Sequence, residues 1–80
     1  MGDIQNTPTF GLWVTKQRKN MRMSRARFAK LMGCSTLECQ RIERGEGMIT
    51  SRELVDIAAV FCLQVNVVES FALAAAAGVS

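Results

Sequence analysis

The sequence predicts an all-α domain of five short helices, and three observations predict it. Apolar residues recur at helical spacing, as in Phe10, Trp13 and Val14 and again in Leu54, Ile57, Ala58 and Phe61. Residues suited to capping stand before the apolar runs, at Thr9, Ser24, Ser35 and Thr50. Glycines follow three of the runs, at Gly33, Gly45 and Gly78. Eighty residues make one small domain with a marginal core, which oligomerisation would strengthen.

Residues 1–8 are expected as a flexible arm, because Pro8 disfavours helix at Thr7. Thr9 can cap a first helix over Phe10 to Asn20, with Gln17 completing the spacing begun by Phe10. The turn Met21-Arg22-Met23 has no glycine, so Asn20 or Arg22 is expected to take positive φ. Ser24 caps a second helix, Arg25 to Met32, whose apolar face is Phe28, Ala29 and Met32. Gly33 can end it in the left-handed conformation at no steric cost.

Ser35 opens a third helix over Thr36 to Arg44, and Glu38 lies where a capping box needs it. Cys39 and Ile42 give this helix a narrow apolar face, leaving Leu37, Gln40, Arg41 and Arg44 on other faces. Thr50 or Ser51 caps the fourth helix, and Thr50-Ser51-Arg52-Glu53 fits a second capping box there. Val55, Ala59 and Cys62 form a second apolar stripe beside its core face. The last helix, from Val65 or Val67 to Ala77, is apolar on nearly every side, with Asn66 and Glu69 able to cap it. A helix of that kind must bury two faces, and one of them needs a partner.

The net charge of +3 is segregated. All ten Lys and Arg fall within residues 16–52, against only Glu38, Glu43 and Glu46. Only Asp3 precedes that stretch as a charge, and Glu53, Asp56 and Glu69 follow it. A basic middle in a neutral-to-acidic chain is the footprint of a phosphate-backbone binder. The N-terminus lacks a basic-then-apolar signal pattern, and Asn66, Glu69 and Ser70 interrupt the apolar C-terminus. Neither end reads as a signal or a membrane span, so a cytoplasmic location is expected. Cys34, Cys39 and Cys62 are odd in number and unpaired in spacing, and are expected as small buried hydrophobes. No histidine is present, and no fourth ligand would complete a three-thiolate zinc site, so no metal or other cofactor is expected.

The run from Met23 to Gly45 carries a resemblance. As M-S-x-x-x-F-A-x-x-M-G-C-S-x-x-x-C-x-R-I-E-R-G it resembles the Cro/cI-type (XRE-type) helix-turn-helix family of regulators, usually L-S-Q-x-x-L-A-x-x-L-G-V-S-x-x-x-I-x-x-I-E-x-G. Gly33 and Ser35 match, as do Ile42, Glu43 and Gly45; Met23, Phe28, Met32, Cys34 and Cys39 replace family aliphatics. The likeness extends to Leu54-Val55-Asp56-Ile57-Ala58 and covers roughly residues 10–68. It implies the five-helix fold of the phage lambda repressor DNA-binding domain, with the helix-turn-helix at helices 2 and 3.

Site residues follow from the resemblance. Base-reading positions map onto Thr36, Leu37, Gln40 and Arg41. Thr36 suits a base edge or a thymine methyl, Leu37 a thymine methyl, Gln40 adenine and Arg41 guanine. Arg22, Arg25, Ser35, Arg44 and Arg52 are the expected phosphate contacts. Arg25 stands where the family usually has a Gln that meets a phosphate and braces helix 3. Arg18 and Glu43 are implied as a partly buried ion pair tying helix 1 to helix 3. A twofold dimer through the last helix is the family solution for its spare apolar face, here Val67, Val68, Phe71, Ala74 and Ala75.

The expected function is sequence-specific binding of double-stranded DNA by a homodimeric transcriptional regulator. Repression through a palindromic operator is expected, autoregulatory and of phage, plasmid or other mobile-element type. No small-molecule ligand and no membrane partner are expected. The alternative is a protein-interaction module, such as an antitoxin, using Leu37 and the apolar last helix. An enzyme is disfavoured: the sequence has no histidine, no phosphate-cradling glycine motif and no plausible carboxylate pair.

Overall fold

The computed structural model describes residues 3–78. The element order is β1 (Ile4–Gln5), α1 (Pro8–Asn20), α2 (Arg25–Met32), α3 (Thr36–Arg44), β2 (Met48–Ile49), α4 (Ser51–Val60) and α5 (Val65–Ala77). Five helices make the all-α domain, and one small antiparallel ribbon is added to it. Ile4 stands opposite Ile49 and Gln5 opposite Met48.

That ribbon corrects the expectation of a flexible arm, of which Met1 and Gly2 lie outside the described residues. Ile4, Asn6 and Thr7 are buried. The Asn6 amide donates to the carbonyls of Ile42, at 3.0 Å, and Glu46, at 3.2 Å. The Thr7 hydroxyl accepts from the Phe10 N–H at 3.1 Å, so Thr7 caps α1 in place of Thr9. Pro8 then occupies the first helical position, where a missing N–H costs nothing.

Phe10, Val14, Phe28, Ile42, Ile49, Leu54, Ile57 and Val68 fill the core. The rings of Phe28 and Phe61 stack with centroids 5.4 Å apart, and Trp13 packs edge-on to both Phe61 and Phe71 at the rim. Helix α1 crosses α3 so closely that a Cβ on Gly11 would strike the Glu43 carbonyl.

Helix ends follow local chemistry with three exceptions. Gly33 takes φ 76° after α2, and Arg22 takes φ 55° in the turn after α1. Thr50 and Glu53 complete a reciprocal capping box at α4. At α3 only half of the expected box forms: Ser35 accepts from the Glu38 N–H, while the Glu38 carboxylate turns to Arg41. Helix α5 begins at Val65 after Gln64, one residue before Asn66, so the expected Asn66–Glu69 cap is not made. Cys62 is the third exception. It takes φ 58° in the turn between α4 and α5 and is exposed, not buried. Val55 and Ala59 are exposed with it, so that stripe faces away from the core.

Val68 also needs correction. It was expected at a dimer interface, but it is 0% exposed within the domain's own core. Helical phase decides this: Val68 and Ala72 share the inward face of α5, whereas Val67 and Leu73 remain half exposed.

Candidate nucleic-acid interface

Helix α3 is placed by its two ends. The left-handed turn at Gly33 swings the chain from α2 to Ser35, whose hydroxyl caps α3. Burial of Cys39 and Ile42 then fixes the helix's rotation. The opposite face carries Thr36, Leu37, Gln40 and Arg44. Leu37 is 72% exposed, the most open large apolar side chain described. Ser35, Leu37, Gln40 and Arg44 border a shallow depression of about 310 Å³ on this face, together with Glu38, Arg41 and Glu46.

The tilt of α3 is held by Glu43. Arg18 Nε lies 2.7 Å from Glu43 Oε2, and Arg18 Nη2 donates to Oε1 at 3.2 Å. The remaining Arg18 nitrogen donates to the Met23 carbonyl at 2.8 Å. Thr15 donates its hydroxyl to Glu43 Oε1 at 3.2 Å. Arg25 reaches the same oxygen at 3.5 Å. Arg25 therefore braces α3 through charge, where the family usually has an amide, and its side chain stays 42% exposed.

Arg41, expected as a guanine reader, makes its contacts within the domain. Its Nε pairs with Glu38, and its Nη1 donates to the carbonyls of Glu46 and Met48. Its Nη2 lies 2.9 Å from Glu53 Oε2. Four of the five guanidinium N–H groups are thus engaged within the domain. Burial disfavours the charge of Arg41, but Glu38 and Glu53 outweigh it and hold the guanidinium above its ordinary pKa. The side chain clamps α3 to the ribbon and to the start of α4.

Of the expected phosphate contacts, Arg22, Ser35 and Arg44 are exposed, and Arg52 is 85% exposed with Asp56 at 3.5 Å. Arg22 and Arg44 form no ion pair among the described residues. Two features escaped the sequence reading. Asn6 joins the N-terminal segment to the end of α3, and the run Asn-Thr-Pro before an apolar residue was the available signal. Cys34 and Cys39, judged too far apart to share a face, bring their Sγ atoms within 3.5 Å. Cys34 precedes the cap and Cys39 is the fourth helical residue, and the chain folds back at a cap. Among the described residues, no group of three or more Cys, Asp or Glu side chains is arranged to hold a metal ion. No described helix is long and apolar enough to cross a membrane.

A family model described as Helix-turn-helix matches residues 14–61. The chain belongs to this XRE-type helix-turn-helix family. No curated protein matches it by sequence. Among solved structures it is similar to the clp gene regulator ClgR from Corynebacterium glutamicum. The TM-score is 0.69 at 19% identity, covering 85% of this chain and 72% of that one. At that identity the likeness speaks for the fold alone. The chain is also similar to hydroxypropylphosphonic acid epoxidase from S. wedmorenis, with TM-score 0.68 and 25% identity over 80% of this chain and 34% of that one. A structure of FeII HppE in complex with substrate gives the same TM-score and identity, with 78% and 36% covered. The helix-turn-helix chain thus spans about a third of the epoxidase chains.

Proposed function

We propose that this helix-turn-helix protein is a repressor that binds a palindromic operator as a homodimer. One observation carries the reading: α3 is seated by Glu43 yet open to solvent at Thr36 and Leu37, with Gln40 half-buried beside them. A recognition helix needs both properties, since its base-reading side chains must be free while its tilt is held. Leu37 meets a thymine methyl, Gln40 pairs with adenine, and Thr36 touches a base edge. Arg22, Arg25, Ser35, Arg44 and Arg52 meet phosphates. Arg41 acts as a positioning residue for α3, since its N–H groups are spent within the domain.

Dimerisation joins two recognition helices across the twofold axis, ~34 Å apart for successive major grooves. The dimer face uses Val67, Phe71, Ala74 and Ala75 on α5, with Val68 left to the core. The half-exposed Val67 and Leu73 favour a protein partner on α5. A partner other than a second copy is the second reading, as for an antitoxin. The protein works in the cytoplasm without cofactor or small-molecule ligand.

The test is selection from a randomised duplex pool, followed by binding of the enriched duplex across a salt series. Enrichment of an inverted repeat, with steep salt dependence and binding by a dimer, supports the reading. A pool that enriches no motif overturns it and leaves the protein-partner reading.

A further inference from the structure

The pair Cys34 and Cys39 has no role in the reading above. Its place is unusual. Ser35 is the N-cap of α3, so Cys34 precedes the cap and Cys39 is the fourth helical residue. Those two positions commonly carry a hydrophobic staple, the contact that sets how the chain joins the helix. Here both halves of the staple are thiols, with sulfurs 3.5 Å apart. Cys39 is fully buried, and Cys34 is half-buried at the edge of the core.

We propose that Cys34 and Cys39 are a peroxide-oxidisable dithiol whose disulfide shifts the first turn of the recognition helix and switches off DNA recognition. The effect on DNA rests on the function proposed above; the covalent chemistry does not. Cys34 Sγ, as thiolate, attacks one oxygen of a hydroperoxide. The O–O bond breaks, the leaving oxygen departs as water or alcohol, and Cys34 becomes a sulfenic acid. Cys39 Sγ then attacks Cys34 Sγ, the S–O bond breaks, and the leaving hydroxide takes the Cys39 proton as water. Two thiols are oxidised to one disulfide, and the peroxide is reduced.

Order follows from position. The half-buried Cys34 meets the oxidant, and the buried Cys39 resolves it. Burial, followed by its hydrogen bond with Cys34, pushes the Cys39 thiol up to about 12, which keeps it protonated until the second step. Closing the bond requires the sulfurs to approach from 3.5 Å to about 2.05 Å. Cys39 is locked in the core, so the movement falls on Cys34, Ser35 and the first turn of α3. That turn holds Thr36 and Leu37. A dithiol of this kind suits a reducing compartment, where disulfides are transient signals.

The test uses the whole chain, reduced and then exposed to hydrogen peroxide. Mass mapping is expected to show loss of two hydrogens on the peptides of Cys34 and Cys39, reversal by dithiothreitol, and a free Cys62. Cys62→Ser keeps the reaction; Cys34→Ser abolishes it. Amide exchange is expected to rise over residues 35–38 on oxidation. Affinity for the pool-enriched duplex should then fall about tenfold, comparable to one mismatched base pair. Oxygen adducts without a bridge, or disulfide dimers through Cys62, overturn the proposal. So does a bridge that changes neither exchange nor affinity. A reduced chain that binds no duplex refutes the DNA reading instead, and exchange still decides the switch.

Discussion

Arg18 and Glu43 join α1 to α3 through an Nε–Oε2 contact of 2.7 Å, with side chains only 9% and 4% exposed. Thr15 and Arg25 bond to the same carboxylate, so one acidic residue collects three partners. Removing one partner of a buried pair strands the other charge. Arg18→Ala is expected to cost about 3–5 kcal/mol in urea unfolding. Arg25→Ala, at the exposed edge of the cluster, should cost under about 1 kcal/mol while still weakening DNA binding. Equal losses for the two would show that burial does not set the hierarchy.

Arg41→Ala separates a positioning role from a reading role. A positioning residue should lower stability by about 0.5–1.5 kcal/mol, because the part-buried pair with Glu53 is lost while water can replace the donor at the exposed Glu46 and Met48 carbonyls. Affinity should then fall by a similar factor on every operator variant. Base preferences measured by competition with single-substituted duplexes should stay the same. Preference lost at one base position alone would restore Arg41 as a base reader.

Leu37→Ala addresses the opposite case. At 72% exposure Leu37 contributes little to the core, so thermal unfolding should be unchanged. Specific binding is expected to weaken by about 1–3 kcal/mol, the size of one lost base contact. The loss should shrink when uracil replaces the contacted thymine, since uracil has no methyl group.

Gly11→Ala should be among the most damaging single-methyl changes in the chain. The new Cβ meets the backbone of Glu43 and lies 2.8 Å from Gly45 N, and backbone at a helix crossing cannot step aside. A loss of about 1–3 kcal/mol or more is expected in denaturant melts. Gly33→Ala meets nothing within 4 Å and suffers only from its φ of 76°. It should cost no more than about 1–2 kcal/mol.

Cys39 sets an alkaline limit. Its ordinary value of 9.0 is raised to about 12, first by burial and then by Cys34. The folded chain therefore holds this proton more tightly than the unfolded chain. The contribution is fully present below pH 9 and is lost as pH rises toward 12. Cys39→Val should flatten the fall in stability over that window, measured against the Cys62→Ser chain.

Periodicity and caps located the helices because both are local. Ser24, Ser35 and Thr50 each cap through a bond to an N–H three residues on, so a short stretch carries the whole instruction. The lapses at Thr9 and Asn66 are equally local: Thr7-Pro8 and Gln64 begin their helices earlier than expected. The spare apolar residues of α5 were legible as a group, but their phase was not. Val68 went to the core once packing chose which side of the helix faces inward.

The order of residues was enough to determine five helices, the glycine turn, and which residues α3 can present on its open face. Tertiary structure alone decided how those side chains are used. Arg41 looked free for guanine until folding brought Glu53 and two carbonyls of the ribbon loop around it. Ile4 looked like part of a loose arm until Ile49 arrived as its strand partner. Cys34 and Cys39 stood five apart in sequence, and the bend at the Ser35 cap put their sulfurs in contact. Backbone preferences act over three or four residues and can be read along the chain. Partners for a charge, a strand edge or a thiol come from wherever packing delivers them.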